Sequence, residues 1–166
     1  MTRTEDGILA LMPALRRYAL ALSRNRQDAE DLVQDSLEAA FANLGAWRGA
    51  NLRGWLLTIM TNMHRGRYRT QAGRARHDAI ETAGDIAAPA GPDDPLERDR
   101  LMAAINLLSS EQRSVLMLVV VEGYAYTEVA AMLGIPLGTV MSRLSRARHA
   151  IADNLSGHNI VGLRRP

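Results

Sequence analysis

Apolar residues recur at spacings of three and four through two stretches of this chain, and no stretch alternates with the period of two expected of a half-buried strand. In the first stretch Ile8, Leu11, Met12, Leu15, Tyr18, Ala19 and Leu22 form one stripe. They predict a helix that Pro13 must start or kink, because proline removes an amide donor. Asn25, with Asp28 three residues on, predicts an N-cap box that opens a second helix over about residues 26–44. That helix should bury Ala29, Leu32, Val33, Leu37, Ala40, Phe41 and Leu44, with Asp28, Asp31, Asp35 and Glu38 along its other side. A third helix, about residues 52–69, places Leu52, Trp55, Leu56, Ile59 and Met63 inward and Thr58, Thr61, Asn62, Arg65 and Arg69 on the opposite face.

Residues 71–95 (QAGRARHDAIETAGDIAAPAGPDDP) are rich in Ala, Gly, Asp and Pro, without a sustained apolar period, and read as a linker. Helical patterning resumes at Asp94-Pro95-Leu96-Glu97, where Asp can cap, Pro suits the first helical position and Glu can complete a box. A second box, Ser109 to Gln112, begins an apolar helix that Gly123 should end. A short helix (TEVAAML), a turn at Gly134-Ile135-Pro136 and a final helix near residues 137–155 follow, which is the sequence form of a helix-turn-helix. The fold class expected is all-α: two small helical domains over residues 1–70 and 95–166, joined by a flexible linker over 71–94.

Charge sharpens this division. The net charge of +2 conceals a segment, residues 47–77, with seven arginines and no acid, and a last segment, 135–166, at net +4. Between them residues 78–101 carry net −5. Two basic blocks suggest two contacts with a polyanion, because clustered arginines displace condensed counterions from nucleic acid. All 20 basic residues are arginine. The absence of cysteine excludes disulfides and thiolate zinc sites, and the four histidines lack the close spacing of a ligand pair, so neither metal nor cofactor is expected. No apolar run approaches the roughly 20 residues that span a bilayer, and Glu5 and Asp6 are wrong for a secretory signal, which points to the cytoplasm.

In the last helix Val140, Leu144, Ala147 and Ile151 form a buried edge at spacings of four, three and four. Ser142, Ser145 and His149 then point away from it, with Met141 and Arg146 on the flanks and Arg143 and Arg148 to either side. Small polar side chains that can approach base edges, with arginines set for phosphate or guanine, are what a recognition helix needs. The bland alternative is an amphipathic helix with a solvated basic face.

The stretch LLSSEQRSVLMLVVVEGYAYTEVAAMLGIPLGTVMSRLSRARHAI closely resembles region 4 of the extracytoplasmic-function (ECF) sigma factors of the sigma-70 family, its IPLGTVMSRLSRAR portion most specifically. DAEDLVQDSLEAAF and RGWLLTIMTNMHR resemble region 2 of the same family. The resemblance implies an alternative sigma factor, not an enzyme, that brings RNA polymerase core enzyme to promoters and assists strand opening. Asp31, Leu32, Gln34, Asp35, Leu37 and Phe41 match the region that docks on the β′ clamp helices. Asn62, Arg65 and Arg69 match the element that captures unpaired −10 bases. Thr139, Met141, Ser142, Arg143, Ser145, Arg146 and His149 fall in the helix that reads the −35 element. The β flap, promoter DNA and an anti-sigma factor are the further partners implied. Trp55 resembles the family's core tryptophan. Two departures stand out: Met141 replaces a common Arg or Lys, and Ala125 replaces a common capping Ser at a cost of about 1 kcal/mol of local stability.

The competing reading is a sigma mimic that occupies an anti-sigma factor without touching DNA. Mimics should lose the outward arginines, yet Arg143, Arg146 and Arg148 are present. A plain helix-turn-helix repressor leaves the first domain unexplained, and no nucleophile, base and orienting group can be assembled for an enzyme.

Overall fold

The computed structural model describes residues 2–23, 25–72 and 94–161. These residues are helical with short connections, and the chain divides into two compact units, Met1–Ala87 and Ala88–Pro166. Apart from its ends, the expected linker lies outside the described residues.

The first unit is three packed helices, α1 (Arg3–Leu22), α2 (Arg26–Ala42) and α3 (Leu52–Ala72), each against the other two, with a short 3-10 turn at Leu44–Ala46. Helix α3 runs two residues past the domain end expected from sequence. A complete capping box starts α1, in which Thr2 Oγ1 accepts from the Glu5 amide and Glu5 Oε2 from the Thr2 amide at 2.8 Å. Pro13 therefore sits inside a continuous helix and does not start one. Asn25 caps α2 as its sequence predicts, with Oδ1 accepting from the Asp28 amide at 2.8 Å. At α3 the cap is Asn51, held in the left-handed region at φ 46°, with Oδ1 accepting from the Gly54 amide at 3.0 Å. A Cβ on Gly54 would collide with the Asn51 side-chain amide, so a glycine there leaves room for the cap.

Two helix faces differ from the expected ones, in each case because a hydroxyl residue occupies a core position. On α2 the buried set is Ala29, Leu32, Val33, Ser36 and Ala40. Ser36 satisfies its hydroxyl locally, donating to the Leu32 carbonyl at 2.6 Å, so it can occupy the stripe. With Ala40 facing in, Phe41 stands about 100° further round and is 44% exposed. Leu37 and Leu44 are only half-buried. On α3 the buried residues are Gly54, Leu56, Leu57, Met60 and Thr61, while Leu52, Trp55, Ile59 and Met63 are half-buried. Thr61, expected outside, is fully buried and donates to the Leu57 carbonyl at 2.7 Å. Its oxygen is then the acceptor for the Tyr18 hydroxyl at 2.8 Å, a polar bridge from α1 to α3 in an apolar core.

The second unit contains α4 (Pro95–Asn106), α5 (Ser110–Leu116), α6 (Tyr126–Leu133) and α7 (Leu137–Val161), with α7 packed on the other three. Asp94 caps α4 by accepting from the Leu96 amide at 2.9 Å, so the box with Glu97 that its sequence suggests is not formed. The Ser109–Gln112 box is complete. Helix α5 passes into a π-helical turn, Met117–Val121, closed by the Glu122 amide on the Met117 carbonyl at 2.9 Å, and Gly123 at φ 76° ends it. The core is Ala104, Leu108, Val115, Leu116, Met117, Leu118, Val129, Leu133, Val140, Leu144 and Ala147, with Ile151 half-buried at its edge. Arg113 lies among them, 2% exposed, and Nη2 donates to the Asn106 carbonyl at 2.9 Å and the Leu108 carbonyl at 3.1 Å. A buried guanidinium thus closes the C-terminal end of α4, where helix carbonyls have no partner of their own.

Arg113→Ala should destabilise the second unit by about 3 kcal/mol, because it leaves buried carbonyls without a donor. Both tryptophans, Trp47 and Trp55, belong to the first unit. In urea, part of the circular-dichroism transition should therefore move to lower denaturant while the tryptophan fluorescence transition stays in place.

Candidate nucleic-acid interface

In the first unit the acidic face of α2 resolves into an exposed line, Asp31, Gln34, Glu38 and Phe41, at spacings of three, four and three. Its polar members are organised along the helix: the Gln27 amide donates to Asp31 Oδ1 at 3.1 Å and the Gln34 amide to Glu38 Oε1 at 3.3 Å. Asp35 is turned aside into an ion pair with Arg67 of α3. Leu32 is 1% exposed, so the structure corrects its assignment as a contact: it packs in the core beneath the line. Leu37 is half-buried at the margin. The line therefore offers two carboxylates and an amide, with one aromatic ring at its end.

On α3 Asn62 is exposed and Arg65, one turn on, is half-buried. The Arg69 side chain lies outside the described residues. Arg67, by sequence only one member of the basic run, proves to be the link from this helix to α2. Trp55 is half-buried against Trp47, ring centroids 6.5 Å apart and tilted by 34°, and Trp47 Nε1 donates to the Ala50 carbonyl at 3.1 Å. This pair steadies the loop that enters α3.

In the second unit α6 and α7 form the helix-turn-helix. Ala125 offers no capping oxygen, yet half of a box survives, since its amide donates to Glu128 Oε2 at 2.8 Å. Gly134, at φ 63°, closes α6 and turns the chain into α7. Val140, Leu144 and Ala147 hold α7 to the unit, and Met141, Ser142, Ser145, Arg146, Arg148 and His149 are exposed. Ser142 Oγ donates to the Thr139 carbonyl at 3.1 Å, which leaves its lone pairs outward as an acceptor for a base amino group. His149 Nδ1 lies 2.8 Å from the Ser145 carbonyl, and because a carbonyl only accepts, Nδ1 donates there. Thr139 is half-buried at the start of the helix. Arg143 departs from the expected set: it is drawn back to Glu111 of α5 at 3.4 Å, its side chain 19% exposed. Beside the outer face lies a shallow depression of about 340 Å³ lined by Tyr126, Met141, Leu144, Ser145, Arg148 and His149. Tyr126, in the first turn of α6, carried no signal in the sequence that could have placed it there.

Among the described residues no group of three or more His, Cys, Asp or Glu is placed to hold a metal ion, and no helix is long and apolar enough to cross a membrane.

Comparison with known proteins assigns both units. The family model for sigma-70 region 4 matches residues 98–151, and that for the Sigma2 domain of PhyR matches residues 8–61. The chain is 37% identical over 148 residues to the ECF RNA polymerase sigma factor EcfG of Rhodopseudomonas palustris (strain TIE-1), covering 89% of this chain and 82% of that protein. Among solved structures it resembles the sigma factor RpoE in complex with the anti-sigma factor NepR from Bartonella quintana, with a TM-score of 0.73 and 31% identity over 97% of this chain and 98% of RpoE. The anti-anti-sigma factor PhyR, complexed with NepR from the same organism, shares the fold at a TM-score of 0.57 and 18% identity, over 88% of this chain and 48% of PhyR. With both regions in order, and with a sigma-factor relative matched over most of its length, the chain belongs to the ECF RNA polymerase sigma factors of the sigma-70 family.

Proposed function

We propose that this sigma factor docks on core polymerase through the exposed line of α2, captures unpaired −10 bases with α3, and reads the −35 element with α7. Residues 1–70 are then the core-binding and −10 domain, 71–94 the linker and 95–166 the −35 domain. The observation that carries the reading is the outward face of α7. Ser142, Ser145, Arg146, Arg148 and His149 are exposed over a fully apolar buried edge, and no acid occurs between Glu128 and Asp153. Such a face can lie in the major groove without repelling phosphate. On α2, Asp31, Gln34 and Phe41 are the presented contacts, with Leu37 at the margin, and Asp35 is available once Arg67 releases it. On α3 Asn62 supplies hydrogen bonds to a base edge, and Arg65 and Arg69 supply charge for the strand. The likeness to RpoE bound to NepR supports an anti-sigma factor as a further partner, and the family supports the β flap as a second polymerase contact.

A second reading has one observation in its favour: the first unit matches the Sigma2 domain of PhyR, a protein described as an anti-anti-sigma factor. A protein that only occupies an anti-sigma factor has no use for exposed arginines on the face of α7, and these are kept. Promoter-specific transcription in a reconstituted assay separates the two. Ser142→Ala with Arg146→Ala should lower transcription from a −35-dependent promoter without lowering affinity for core enzyme, each base contact being worth about 1 to 3 kcal/mol. Transcription equal to wild type would remove the −35 role from this face of α7, and no promoter-specific transcription from the wild-type protein with core enzyme would favour the mimic.

Two further outcomes test the first unit. Asp31→Arg with Phe41→Ala alters only exposed positions, so it should weaken co-purification with core polymerase at least tenfold while the helical circular-dichroism signal is unchanged; about 1.4 kcal/mol corresponds to tenfold. Asn62→Ala should allow closed-complex formation but reduce permanganate reactivity of thymines in the −10 region, because the hydrogen bond it removes is to an unpaired base rather than to duplex phosphate.

A further inference from the structure

Met141 is out of place on the face it occupies. It is 52% exposed in the second turn of α7, next to exposed Ser142, and it lines the depression together with Tyr126, Leu144, Ser145, Arg148 and His149. A thioether left in water on the flank of a polar, basic face gains nothing for the fold, since Val140, Leu144 and Ala147 already make the buried edge. Its surroundings indicate what covers it. Arg146 and Arg148 are exposed on the same helix, and this helix has no acid before Asp153. A polyanion is thus favoured over a basic or neutral apolar partner, and of the polyanions a nucleic acid suits a recognition helix. Residues near the N-terminus of a recognition helix are those that reach base edges, and the one apolar group a base pair shows in the major groove is the 5-methyl of thymine.

We propose that Met141 is a specificity-determining residue that packs on the 5-methyl group of a thymine in the −35 element, with the depression beside it receiving that edge of the base. The proposal rests on the reading of α7 as the −35 helix and adds to it the chemistry of one base position. Ser142 contributes a hydrogen-bond acceptor next to Met141, suited to the amino group of a neighbouring adenine or cytosine. Arginine at position 141 would instead favour the O6 and N7 acceptors of guanine, so the methionine changes which base is preferred and does not merely weaken contact.

The test uses the full chain with core polymerase and a −35 duplex selected from a random pool by that holoenzyme. Each thymine of the element, on either strand, is replaced in turn by deoxyuridine, which removes only the 5-methyl and keeps base pairing and the O4 acceptor. Holoenzyme affinity is measured by competition. One position should lose roughly fivefold, the scale expected for one buried methyl group. Met141→Ala should abolish the difference between thymine and deoxyuridine at that position alone, and Met141→Leu should retain it. Because Met141 is exposed, both variants should keep the wild-type circular-dichroism signal. The proposal is overturned if no thymine is sensitive, if the element contains none, or if the sensitive one stays equally sensitive in Met141→Ala. Indifference of the holoenzyme to scrambling the whole −35 element would instead overturn the assignment of α7 itself, and is distinguishable because it does not depend on any single methyl group.

Discussion

Each unit has only three or four helices with which to remove apolar surface from water, and the helices at its surface, α2 and α7 among them, bury one stripe each. This constraint sets what is left outside. In the first unit the stripe of α2 closes with Ala29, Leu32, Val33, Ser36 and Ala40, and Phe41 is left exposed. In the second, the edge of α7 closes with Val140, Leu144 and Ala147, and Leu137 and Met141 are left exposed. The apolar groups left over stand beside carboxylates on one helix and beside arginines on the other. On both helices a charged face thus carries an exposed apolar group that the small core had no room to take.

Helix number, caps and order were largely legible in the sequence, because capping boxes and apolar spacing are local signals. Asn25, Ser109, Gly123 and Gly134 act where their residue types predict. The face of each helix was less legible wherever a polar residue joined the core. Ser36 and Thr61 return their hydroxyls to carbonyls one turn back, at 2.6 and 2.7 Å, and so pass as apolar, which no hydropathy pattern can reveal. Arg113 is the extreme case. By composition it was one charge in an acidic stretch; in the fold it is the most deeply placed cation among the described arginines, and it organises the junction of α4 and α5.

The candidate contacts were readable as types and less so as orientations. Spacing alone put Asp35 on the acidic stripe of α2 and Arg143 near the outward face of α7, but each meets an opposite charge from a neighbouring helix, Arg67 and Glu111 respectively. Such pairs depend on how helices cross, and that is tertiary information. Both pairs are partly exposed, so they contribute little to stability. Their effect is on orientation: each turns a charged side chain toward a neighbouring helix.

The π-helical turn at Met117–Val121 bears on how this region can change over generations. A turn of this kind fits one residue more than an α-helix does in the same rise, and it is the local form in which a helix absorbs a single-residue insertion. The run Val115–Val121 is apolar throughout, buried from Val115 to Leu118 and exposed at Val120 and Val121, so it shows no helical period of its own. The extra residue means that the chain downstream keeps its phase only as long as the wide turn persists. Loss of one valine there would convert the turn to ordinary α-helix at little local cost. Gain or loss of a second residue would have no such buffer and would rotate everything that follows by about 100°. Relatives of this protein should therefore differ in length at this turn by one residue at most, and the turn should be where an alignment of them requires its gap.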